Sequence, residues 1–137
     1  MPVRNLASKA RFTLIVLLPW LALMAQNAQD VPQKVGVLEQ QAQKYLQEQK
    51  PQLAVPVLRE ILSLDPKNLN AQANLGVLLF FGGNYAEAIP HMRAALQLQS
   101  YLWRIEALLG IAERRTGNPA EAQKDLERAF SDLNRST

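Results

Sequence analysis

Few side chains in this sequence could do covalent or acid–base chemistry. His91 is the only histidine, and there is no cysteine. That removes disulfides, a thiolate nucleophile, a cysteine-held zinc and a lipidated N-terminal cysteine. A single histidine does not make a metal-ligand set, so His91 reads as a surface or partly packed residue. The nearby Glu residues read as helix caps and surface charge, not as a paired general acid and base. No glycine-rich phosphate loop is present. The sequence therefore predicts no enzyme, no metal and no other cofactor. What remains is binding chemistry: the aromatic pair Phe80-Phe81 and the cationic pair Arg114-Arg115.

Charge narrows the partner. The formal net charge of +3 and the pI near 9.4 suggest a nucleic-acid partner. Yet Arg4, Lys9 and Arg11 fall in the first eleven residues, which hold no acid. Setting these aside leaves twelve basic residues against twelve acidic ones. A balanced array carries no global electrostatic case for nucleic acid, and none is expected as a partner.

The basic start is followed by an uncharged apolar run over residues 12–24 and then by small and polar residues. That order is the signature of a secretory signal peptide. As a helix the run spans about 20 Å, short of the roughly 30 Å of bilayer hydrocarbon, and Pro19 weakens a long anchor further. The expectation is a leader over residues 1–25, cleaved after Ala25 or Ala28, then a polar linker over 26–34. The mature protein would be periplasmic or secreted. The alternative is a retained leader, which would be the only contact with a membrane.

The elements that position the binding groups emerge from a repeat. A shift of 34 places Gly83-Asn84-Tyr85-Ala86-Glu87-Ala88 on Gly117-Asn118-Pro119-Ala120-Glu121-Ala122. It also aligns Ala42, Gly76 and Gly110; Ala54, Ala88 and Ala122; Leu58, Met92 and Leu126; and Ile61, Ala95 and Ala129. The units are 35–68, 69–102 and 103–133, and each reads as two helices. Residues 70–81 of unit two are rich in helix formers. Gly82-Gly83 stops that helix, Asn84 with Glu87 (and Asn118 with Glu121) resembles a capping box, and Asp65-Pro66 closes unit one. The small residues let paired helices approach, and a bulkier one should wedge them apart. Pro56 and Pro90 share one repeat position and should bend each second helix near its start. No hairpin buries its apolar face alone, so stacking must supply the core. The fold class is all-α, a solenoid of three antiparallel helical hairpins.

On these residues the chain resembles the tetratricopeptide repeat family over roughly residues 35–131. Leu75, Gly76, Ala88, Ala95, Leu109, Gly110, Ala122, Ala129 and Pro66 carry the likeness. The early aromatic of the family pattern is replaced by Leu38, Gln72 and Glu106, and Glu113 stands where an apolar residue is usual. The resemblance implies a concave groove lined by the first helix of each unit. The matching positions are Gly36, Glu39, Gln43, Leu46 and Gln47; Asn70, Ala73, Val77, Phe80 and Phe81; and Arg104, Ala107, Ile111, Arg114 and Arg115. Phe80-Phe81 beside Arg114-Arg115 would form an apolar patch with a basic edge. That suits a peptide or helix of a partner protein with an apolar anchor and an acidic group. Packing of one Phe into the core, with the arginines as a solvated face, is the competing expectation. Some members clamp an acidic chaperone C-terminus. Asn74 and Arg104 match that set, but Gln43, Glu39 and Leu108 depart from it, and a Glu facing a carboxylate is repulsive.

After Phe130 no polar capping helix follows in this sequence. Leu126, Phe130 and Leu133 would leave an apolar edge suited to self-association or to a longer chain. The function expected is an exported protein-binding adaptor. The alternatives are an accessory module of a larger exported enzyme or assembly machine, and a membrane-anchored assembly factor.

Overall fold

Helix-forming runs broken every dozen residues by Gly, Pro or polar turns give helices and short turns throughout. A computed structural model of the protein describes residues 30–135. The leader, with Ala25 and Ala28, lies outside them. The chain divides into two units, one through Gly36 and one from Val37. Among the described residues the first contributes only the opening turns of α1, and Gly36 belongs to it. All that follows concerns the second.

The helices are α1 (30–47), α2 (Pro51–Leu64), α3 (Leu69–Phe81), α4 (Tyr85–Leu98), α5 (Trp103–Arg115) and α6 (Pro119–Arg135). No strand occurs among the described residues. Each of α2 to α6 packs on the next, and α3 also meets α5. This is the solenoid expected from the repeat. Residues 30–34, expected as linker, are helical instead. Asp30, Gln33 and Lys34 are polar, but polarity alone does not break a helix.

The repeat positions form the core. Ala54, Ala88, Ala95, Met92 and Leu75 are fully enclosed, with Leu58, Ile61, Leu109 and Ala122 almost so. A Cβ added to Gly76 would lie 2.7 Å from Met92 Cγ, and one added to Gly110 would lie 2.7 Å from Leu126 Cγ. The small residues therefore set the helix separation.

Turn chemistry departs from expectation in three places. Gly83 and Gly117 carry the left-handed backbone (φ 79° and 86°), while Gly82 stays right-handed. At the same repeat position Gln49 adopts φ 56° without being glycine. Asn84 flanks α4 but makes no side-chain cap, and Glu87 pairs with Arg59 at 2.5 Å instead. The side-chain cap is Asn68, whose oxygen accepts from Ala71 N at 3.0 Å while its amide donates to Glu39 at 2.8 Å. Finally, α2 and α4 run through Pro56 and Pro90 without interruption. The carbonyls these prolines leave unpaired, on Gln52 and Ala86, belong to exposed residues of the first turn, where water can serve them.

Candidate functional site

The first helices of the units place the groove residues, but not as one continuous patch. Between α3 and α5 lies an apolar pocket of about 470 Å3, lined by Val77, Phe81, Trp103, Arg104, Ile105, Ala107 and Leu108. Four groove residues from the sequence meet here: Val77, Phe81, Arg104 and Ala107. Phe81 is 74% exposed, a large apolar surface left in water at the end of its helix. Arg104 lies 5.1 Å from the centre of the Trp103 ring and makes no ion pair with any described residue. It is the one cation lining the pocket.

Phe80 does not join this pocket. Its half-buried ring meets Phe81 and Tyr85 edge-on, each at 5.3 Å, and so braces the turn from α3 to α4. Arg114 and Arg115 do not edge it either, because they end α5 more than two turns beyond Arg104. Arg114 lines a second pocket, of about 440 Å3, with Pro119, Ala122, Leu126 and Phe130. Arg115 is exposed on the last turn, where a cation favours the helix C-terminus. Gln43 and Asn70 line a separate cavity of about 500 Å3 between α1 and α3, with Glu39, Leu46, Gln47 and Asn74. Ile111 is 40% exposed and Ala73 half-buried, and neither lines the α3–α5 pocket.

The third hairpin holds a polar network inside. Glu106 and Glu113 are 2% and 0% exposed, so they are neither caps nor surface charge. Asp125 and Asp132 of α6 are buried with them. Arg93 of α4 donates to Glu113 Oε1 at 2.6 Å, and Arg128 reaches Asp125 at 3.2 Å and Glu106 at 3.8 Å. Glu106 Oε2 and Glu113 Oε2 are buried with no hydrogen-bond donor. Burial, with Asp132 facing one and Asp125 the other, pushes both glutamates above the ordinary carboxyl range. The repeat register carried a signal for this: Glu106 and Glu113 align with Gln72 and Leu79, both turned inward. In unit two the equivalent couple is neutral, with Gln72 and His91 hydrogen-bonded at 2.8 Å. Burial and Arg59 hold His91 below the usual imidazole range. That is a packing role. No group of three potential ligands able to hold a metal occurs among the described residues.

Residues 40–102 match the tetratricopeptide repeat family. The array belongs to that family. Solved structures agree. The tetratricopeptide array is similar to a MamA mutant, at 29% identity and TM-score 0.66, over 72% of each chain. It is similar to MamA AMB-1 at 28% identity and TM-score 0.68, over 85% of this chain and 63% of that one. It is also similar to the first tetratricopeptide domain of Spaghetti (RPAP3), bound there to the HSP90 peptide SRMEEVD. That match has 25% identity and TM-score 0.63, over 73% of this chain and 79% of the other. No curated protein sequence matches the chain. The tetratricopeptide fold generally mediates protein–protein interaction. In this array Glu39 faces the α1–α3 cavity and Leu108 the α3–α5 pocket, the two positions where the chaperone clamp would need cations.

Proposed function

We propose that the array is a non-catalytic adaptor that seats an apolar side chain of a partner protein between α3 and α5. The apolar pocket of about 470 Å3 carries this reading. Exposed apolar surface that is concave and rimmed by one cation favours a large apolar anchor with a carboxylate beside it. Arg104 replaces Arg114-Arg115 as the cation that would meet that carboxylate. The basic, apolar and small-residue order of residues 1–28 supports export to the periplasm or beyond, and a retained leader would tether the array to the membrane. An accessory role within a larger exported enzyme or assembly complex uses the same pocket.

The test is affinity capture from the native envelope with the parent protein, Phe81→Ala and Val77→Asp. The variants are expected to lose partners that the parent retains. Equal capture by all three would remove the pocket from the function. N-terminal sequencing of the exported protein decides the leader: a start beyond Ala25 means cleavage, and a start at Met1 means an anchor.

A further inference from the structure

Four carboxyl groups meet inside the third hairpin: Glu106 and Glu113 from α5, Asp125 and Asp132 from α6. Their spacing is helical. The glutamates are seven residues apart on α5 and the aspartates seven apart on α6, so antiparallel packing sets Glu106 against Asp132 and Glu113 against Asp125. The facing cations are few. From α4, Arg93 reaches Glu113. From α6, Arg128 serves Asp125 and Glu106, and Arg135 serves Asp132 at 3.6 Å. Lys124 and Glu121 stand on the rim of the cavity of about 610 Å3 through which Arg93 and Arg128 enter. The three guanidinium side chains are 50%, 46% and 67% exposed, so water screens them. Four buried carboxylates cannot be offset by cations held in water.

Two oxygens complete the argument. Glu106 Oε2 and Glu113 Oε2 are enclosed and lack any donor. Each glutamate has an aspartate within hydrogen-bond reach, and two carboxylates can bond only through a proton. A carboxyl donating to a carboxylate would satisfy each orphan oxygen at once.

We propose that the third hairpin is a proton latch: α6 closes on α5 while the Glu106–Asp132 and Glu113–Asp125 pairs each hold one proton, and loosens when they lose it. The arrangement suits a switch because α6 packs chiefly on α5 and can open without dismantling α3 and α4. The sign follows from linkage. Each glutamate titrates higher in the folded hairpin than in the unfolded chain, so its stabilisation is complete below the unfolded value, near 4.5. It is lost as pH rises through the folded value. The latch operates whether or not the α3–α5 pocket takes a partner.

Hydrogen-exchange protection of the full protein, corrected for the intrinsic pH dependence of exchange, reads this directly between pH 4.5 and 8. Protection of α6 amides should fall on the order of tenfold for each unit by which one pair is raised. Protection of α3 and α4 should stay level. The double variant Glu106→Gln, Glu113→Gln replaces each shared proton with an amide that donates at every pH, and its α6 protection should not change. Level α6 protection in the parent overturns the proposal. So does a double variant that loses protection as the parent does. If that variant fails to fold, Asp125→Asn with Asp132→Asn makes the same replacement from the α6 side, and the parent's own profile remains decisive.

Discussion

Gly110→Ala tests what holds the helices of a hairpin together. On helix propensity alone the substitution should stabilise α5 by about 1 kcal/mol, because Gly is the poorest interior residue after Pro. The structure reverses that expectation. The new Cβ would stand 2.7 Å from Leu126 Cγ, 3.2 Å from Leu126 Cδ2 and 3.0 Å from the Ala122 carbonyl oxygen. Ordinary contact begins near 3.4 Å, so α6 must retreat by about 0.7 Å at this crossing. Leu126 meets the Cβ with its branch carbon, and the carbonyl is backbone, so neither yields by rotating a side-chain tip. Overpacking of this kind costs about 1–3 kcal/mol. The net loss should be on the order of 1–2 kcal/mol, or roughly 4–8 °C in melting temperature for an array of about 100 residues. Urea unfolding and thermal melts followed by far-ultraviolet circular dichroism measure it. Ala42 occupies the same repeat position in unit one and is 3% exposed, so Ala42→Gly should also destabilise, through propensity alone. A neutral or stabilised Gly110→Ala protein would show that close approach does not set the separation of α5 and α6.

Other substitutions separate the remaining interactions. Gln49→Gly should stabilise by about 1 kcal/mol, since Gln49 holds the left-handed backbone that glycine holds at the equivalent Gly83 and Gly117. Asn68→Ala should cost about 1 kcal/mol in a urea titration by uncapping α3, whereas Asn84→Ala, with no cap bond to lose, should cost less than half of that. Arg93→Ala leaves Glu113 enclosed without its cation, so the loss should reach about 2 kcal/mol at pH 8 and shrink at pH 5, where Glu113 is neutral. Phe130, 67% exposed beside the α6 pocket, adds little to monomer stability. Phe130→Ser should therefore leave the melt unchanged, and if the α6 edge self-associates it should also lower the sedimentation coefficient at high concentration.

The period was legible because stacking repeats the same demand every 34 residues. Ala54, Ala88 and Ala122 stayed small for one reason, and Gly76 and Gly110 for another form of it. Local capping was read less well. Asn84 with Glu87 has the pattern of a capping box, but Arg59 on α2 takes the carboxylate. The pocket shows the same limit. Phe80 and Phe81 are adjacent in sequence, yet about 100° apart around a helix, so one ring braces a turn and the other lines the cleft.

The sequence by itself determined the helices, their pairing and the positions that must be small, because those follow from spacing along one chain. It also placed the exposed aromatic and cationic residues on the first helices. Only the tertiary structure decided which of them share a pocket, since that depends on the stagger between α3 and α5. It likewise turned Glu106 and Glu113 from apparent surface charge into buried acids. Whether a carboxyl is solvated or enclosed depends on what packs over it, and Asp125, Asp132, Arg93 and Arg128 arrive from other helices.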